Sequence, residues 1–238
     1  MSVAPGAMVS AILATRRPDF LPGAVRMVRA QAYAPVELVV ALHGHPAVTL
    51  PEAARAALSA ADRVIEAPAD ATLDECLDEA VAAARGEILA KIDDDDLYGP
   101  AYLEEAVAAL AAGLGGVVGK TELYVHLLAE RELLLWRPGA SHAEQDYVMG
   151  GTLVFPRALG VGFRAAPGEA AGISGFLDRC RAAGGRVYAT SRRHHVHRRF
   201  PGPGHHTWRP DLDLFRRDSV VVRRGVGDDA EGLLRLVG

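Results

Sequence analysis

Lysine is nearly missing from this chain of 238 residues: Lys91 and Lys120 are the only two, and arginine supplies the rest of the 26 basic side chains. With a formal net charge of −4, no global basic field advertises nucleic acid. Cysteine is equally scarce. Cys76 and Cys180 lie in helix-like segments without metal-ligand spacing, which fits a reduced, cytoplasmic setting rather than a disulfide scaffold. No run of apolar residues approaches the length of a membrane span. The first residues, Met1 to Ala7, lack the basic-then-apolar order of a signal peptide. What remains is a chain that is 50% hydrophobic, enough for one large domain or one domain with a small addition.

Four consecutive aspartates, Asp93 to Asp96, follow the apolar run 87–92. That run reads as a buried strand, so the carboxylates fall at its carboxyl end, where ligands bind in open α/β sheets. Four like charges at a strand tip invite a positive partner, and a hard divalent cation takes oxygen ligands. The plainer reading is a solvated acidic turn.

The surrounding pattern supports an α/β sheet. Strand-like runs at 8–14, 36–42, 63–66 and 87–92 alternate with helical stretches. Leu21, Val25, Val28 and Ala32 mark the first helix, 51–61 the second, and Leu73, Leu77, Ala80, Val81 and Ala84 the third, capped by Asp70 or Thr72. Pro100 suits the first turn of a fourth, and Asp96 is equally suited to cap it. This order predicts a mostly parallel sheet with helices on both faces. In the second half, strands are expected at 116–119, 122–128, 152–155 and 186–190, with a helix over 176–183. The Arg-, His-, Pro- and Gly-rich stretch 191–208 reads as an irregular loop, followed by a strand at 219–223 and a helix at 230–236.

Several short pieces occur in a familiar order: Thr15-Arg16-Arg17-Pro18, 39–44 ending in His43-Gly44, 90–100 around the aspartates, Gly119-Lys120, 150–154, and His206-Thr207-Trp208. Together they resemble the family 2 glycosyltransferases of the GT-A fold over roughly residues 8 to 209. The resemblance implies a Rossmann-like, mostly parallel central sheet and a smaller mixed sheet on the acceptor side. It divides the chain into a nucleotide-binding half (8–112) and an acceptor-side half (113–209) of one domain (1–209), with 210–238 as a strand–helix appendage. It also implies a nucleotide-diphosphate sugar donor, with UDP, GDP and dTDP not distinguished and the acceptor unknown. Thr15, Arg17 and His43 would lie near the donor's base and ribose. Asp95, then Asp93, and His206 late in the chain would hold Mn²⁺ or Mg²⁺, with His205 and His197 as lesser stand-ins. Asp94 would meet the ribose or order the loop, and Arg198 would grip the diphosphate.

The chain departs from the family pattern at one place. Inverting members carry a carboxylate base before an acceptor-side helix, commonly in a Glu-Asp pair. Here Glu169 is followed by Ala170. An inverting transfer needs a base within reach of the acceptor hydroxyl, and Glu169 or Asp146 (or the nearby Glu144) are the candidates. The alternative is a non-catalytic GT-A-like module that binds a nucleotide sugar or a protein partner. A nucleotidyltransferase is disfavoured because 15–18 contains no glycine. Trp136, Trp208 and Tyr147 are candidates for stacking on a sugar ring or for packing.

Overall fold

The computed structural model describes residues 3, 4, 6–202 and 212–238. The first half follows the predicted alternation: β1 (Val9–Thr15), α1 (Leu21–Arg29), β2 (Val36–His43), α2 (Glu52–Ala57), β3 (Arg63–Ala67), α3 (Leu73–Ala83), β4 (Ile88–Lys91), β5 (Leu97–Tyr98) and α4 (Tyr102–Ala111). Then come β6 (Val117–Gly119), β7 (Leu123–Leu127), β8 (Glu132–Trp136), β9 (Ala143–Glu144), β10 (Val154–Pro156), α5 (Gly172–Ala182), β11 (Val187–Ala189) and β12 (His195–Arg199). The chain closes with α6 (Leu212–Arg217), β13 (Ser219–Arg224) and α7 (Ala230–Val237).

Eight strands form the main sheet in the order β3-β2-β1-β4-β10-β6-β11-β9. The first four are mutually parallel, and β10 runs antiparallel between β4 and β6. Period-two alternation divides the buried side chains between the two faces. Val9, Ala11, Leu13, Leu38, Val40 and Leu42 pack with α1 and α4, whereas Ile12, Val39 and Ala41 pack with α3 and α5. Thr72 starts α3 through a capping box with Glu75, one of the two caps the sequence offered. The second helix is shorter than expected. It stops at Ala57 because Asp62 gathers the Ser59 N–H at 2.6 Å and the Leu38 N–H at 2.8 Å into a turn that binds it to β2.

The sheet order reverses beside β1, since β2 and β3 lie to one side and β4 to the other. That reversal opens a crevice at the carboxyl ends of β1 and β4. Thr15 ends one strand and the aspartates follow the other.

A second sheet, ordered β13-β8-β7-β12-β5, stands beside the first. It departs from expectation in three places. The strands β5 and β8 were not anticipated, and 195–199, expected as irregular loop, is β12, an inner strand. Its composition misleads because its charged and histidine side chains are buried against the aspartates rather than solvated. The segment after residue 211 completes this sheet. β13 forms its edge, Phe215 of α6 packs on one face with Leu123, Val125 and Trp136, and Leu233 and Val237 of α7 pack on the other with Leu97 and Val196. Among the described residues no helix is long and apolar enough to cross a membrane.

Candidate active site

The turn after β1 and the turn after β4 are joined through Asp94. The Thr15 hydroxyl donates to the Asp94 carboxylate, and Arg17 reaches the same group with Nε at 3.2 Å. The Arg17 guanidinium also contacts Asp95 at 2.9 Å. The Thr15 oxygen accepts the Arg17 N–H at 2.8 Å, which fixes the loop that presents the guanidinium. Burial, together with the neighbouring Asp95 charge, pushes the Asp94 carboxyl up to about 6, with Arg17 and Thr15 pulling the other way. Burial works against the Arg17 charge, but Asp95 and Asp94 outweigh it and raise its pKa.

Asp93 has different partners. Its carboxylate takes the ammonium of Lys91, a buried side chain at the end of β4. The Tyr98 hydroxyl accepts the Asp93 N–H at 2.8 Å and donates to the Gly151 carbonyl at 2.6 Å. One phenol therefore ties the acidic turn to the 150–152 turn. A Cβ on Gly151 would sit 2.7 Å from an Asp93 oxygen and 3.0 Å from an Asp96 oxygen, so this approach requires glycine.

Asp96 is no helix cap. The residue at the start of α4 is Ala101, and the Asp96 carboxylate is wholly buried in another direction. His195 Nε2 stands 3.2 Å from it and His197 Nδ1 3.0 Å, and the Arg198 N–H donates at 3.0 Å. The register explains this. His195 pairs with Tyr98 and Val196 with Leu97, so one further step sets His197 opposite Asp96. Burial opposes the Asp96 charge, but the imidazoles, His197 first, hold its carboxyl well below the usual range. For His197, Asp96 overcomes the effect of burial and raises the pKa, whereas burial leaves that of His195 lowered. Arg199 continues the same face of β12. Burial lowers its pKa against the pull of Asp95 and Asp96.

These groups line a cleft of about 590 Å³. Its floor is Lys91, Asp93, Asp94 and Asp95, with Arg17, His197 and Arg199 at its sides. Tyr147, Gly150 and Gly151 form one wall, and the starts of α3 and α5 form another, through Asp74, Gly172 and Ser174. A larger depression of about 720 Å³ between α1 and α7 shares Asp94 at its edge. The convergence of charged groups, rather than volume, makes the smaller cleft the candidate site.

Residues 11–166 match the model of the family described as glycosyl transferase family 2. The chain belongs to that family. Solved structures with the same architecture include TarS 1–349 of S. aureus, at 16% identity and a TM-score of 0.62, covering 80% of this chain and 60% of that one. TarS 1–349 in complex with UDP-GlcNAc matches at 15% identity and 0.62, covering 88% and 64%. The mannosyltransferase PcManGT of Pyrobaculum calidifontis, in complex with GDP-Man and Mn²⁺, matches at 20% and 0.63, covering 86% and 60%. At such identities the likeness is one of fold, and it is the GT-A fold. This family 2 chain spans 60 to 64% of the length of those three. The comparison with curated proteins gave no match.

The glycosyltransferase fold brings together Thr15, Arg17, Asp93, Asp94 and Asp95. Other expected site residues stand elsewhere. His43 ends β2 outside the cleft lining, with its Nδ1 3.0 Å from Arg16 Nε, and burial and Arg16 lower its pKa. The Arg198 side chain points to the far face of β12, where it holds Asp228 at 2.6 Å. Glu169 is on an exposed turn, accepting the Ala166 N–H at 3.0 Å, and Asp146 is exposed beside Tyr147. Neither lines the cleft. His206, His205 and Trp208 lie outside the described residues. Trp136 is a packing residue, buried 5.4 Å from the Phe215 ring, while Tyr147 does face the cleft. Cys76 and Cys180 are buried free thiols, and burial pushes that of Cys180 up to about 12.

Lys91 and Asp74 were not anticipated. Lys91 carried a signal, being one of two lysines and the last residue before the acidic run at which a strand side chain can turn inward. Among the described residues no group of three or more His, Cys, Asp or Glu is arranged to hold a metal ion. The oxygen donors of Asp93 and Asp95 instead fit a hard cation that takes one or two protein ligands and fills its shell with phosphate and water.

Proposed function

We propose that the protein transfers a sugar from a nucleoside-diphosphate donor to an acceptor hydroxyl, with inversion, in the cleft between β1 and β4. The observation that carries this reading is the Thr15–Asp94–Arg17–Asp95 cluster, set at the sheet's reversal point in a family 2 chain. Thr15 and Arg17 would bind the donor's ribose and diphosphate, with His43 behind the base. Asp95 and Asp93 would hold Mg²⁺ or Mn²⁺ against the diphosphate. The ion would supply charge neutralisation on the leaving nucleoside diphosphate. PcManGT with GDP-Man and Mn²⁺, and TarS with UDP-GlcNAc, support that donor class.

In this reading Arg17 has two duties. It neutralises Asp94 and Asp95 before the donor arrives, and a guanidinium suits a diphosphate afterwards. Lys91 orients the Asp93 carboxylate at the cleft floor.

A second reading rests on the same ion pairs. Asp94 and Asp95 share Arg17, Asp93 has Lys91, and Asp96 has two imidazoles, so each carboxylate of the run has a basic partner among the chain's own side chains. A metal-independent binding module would look like this. Release of nucleoside diphosphate from UDP-GlcNAc or GDP-Man separates the two. The transferase reading expects release with Mn²⁺, lost on chelation and in Asp95→Ala. Binding that ignores Mn²⁺, with no release, supports the module.

A further inference from the structure

Ala170 leaves the start of the acceptor-side helix without the carboxylate an inverting transfer needs, and Glu169 is turned to the Ala166 N–H on an exposed surface. The structure brings a different carboxylate to that place. Asp74, in the first turn of α3, has Oδ2 3.4 Å from the Gly172 N–H, the first residue of α5. These residues are 98 positions apart, and both line the cleft that holds Asp93 to Asp95. Asp74 is partly exposed and lines the cleft. Among the described residues that line the cleft, it is the one carboxylate outside the acidic turn.

We infer that Asp74 is the general base of the transfer, supplying from α3 what position 170 lacks. The inference rests on the donor-site reading above. Asp74 accepts the proton of the acceptor hydroxyl while that oxygen's electron pair forms the bond to the anomeric carbon. The bond from that carbon to the phosphate oxygen breaks, and its electron pair leaves on the nucleoside diphosphate. Asp74 then returns its proton to water. With water as acceptor the same step gives free sugar and nucleoside diphosphate. The Gly172 N–H, at the start of α5, holds the carboxylate in place.

The probes are UDP-GlcNAc and GDP-Man with Mn²⁺ and water as acceptor, read as nucleoside-diphosphate release by the full chain, alongside calorimetric titration of UDP and GDP. Asp74→Asn keeps an oxygen for the Gly172 N–H, so the tie between α3 and α5 survives. The expected result is unchanged nucleotide affinity with kcat lower by about 10²–10⁴-fold, partial recovery in Asp74→Glu, and no change in kcat for Glu169→Gln. Unchanged kcat in Asp74→Asn overturns the inference. So does loss of nucleotide affinity in step with kcat, which would make Asp74 structural, and so does a parent protein that binds nucleotide and releases none. A parent protein that binds neither UDP nor GDP contradicts the donor-site reading itself, a distinct failure.

Discussion

Asp96 and His197 meet at 3.0 Å in a site where both side chains are buried. Their contact joins the two sheets of the molecule, because Asp96 follows β4 of one and His197 belongs to β12 of the other. It places an unanticipated strand under the acidic turn and holds Asp95 and Arg199 on the cleft side.

Removing one partner of a buried charged pair leaves the other uncompensated. Asp96→Ala is expected to cost about 3–5 kcal/mol, read as a shift in the urea midpoint. The sign with pH is fixed by the two shifts. The lowered Asp96 carboxyl contributes stability above its ordinary value of 3.8, lost as pH falls through its folded value. The raised His197 contributes below 6.5, lost as pH rises through its folded value. The difference between wild type and Asp96→Ala should therefore be largest between those limits. A flat difference across that range would refute the pairing.

Gly151→Ala tests the close approach at the acidic turn. The added methyl would meet Asp93 and Asp96 oxygens at 2.7 and 3.0 Å. Overpacking of this kind is expected to cost about 1–3 kcal/mol and to weaken nucleotide binding, by thermal unfolding and calorimetry. A variant with parent-like stability and affinity would mean that the turn is free to move.

Far from the site, Glu37 is a buried carboxylate on β2 that accepts the Ser10 hydroxyl at 2.5 Å, the Arg85 N–H at 2.6 Å and Arg85 Nε at 2.9 Å. Burial works against its charge, yet these donors hold its carboxyl below the ordinary 4.5. Glu37→Ala strands them and is expected to cost about 3 kcal/mol near neutral pH. A group with a lowered folded value gives stability above its unfolded value and loses it as pH falls through the folded one. The cost should shrink in acid, and urea unfolding at neutral and acidic pH checks it.

The parallel half of the fold was legible because its signals are local. Alternating runs such as 36–42, the Thr72–Glu75 capping box and the Leu21–Val28 stripe each depend on neighbours in sequence. The aspartate run pointed to the candidate site for the same reason. The strand β12 was hidden because its inward face is His195, His197 and Arg199, a polar pattern that reads as a loop until Asp96 is set beneath it. Arg198 showed the converse failure. It shares the basic run, but strand alternation sends its side chain to the opposite face, onto Asp228. The Asp74–Gly172 approach could not be read at all, since it depends on how α3 and α5 lie together on one face of the sheet.

A metal-assisted nucleotide-diphosphate site built on Asp95 can be tested by calorimetric titration of the protein with UDP, GDP and dTDP, each with and without Mn²⁺, beside Asp95→Ala. One nucleotide is expected to bind, more tightly with Mn²⁺, and the Mn²⁺ effect is expected to disappear in the folded variant. Affinity indifferent to Mn²⁺ and unchanged in Asp95→Ala would contradict it.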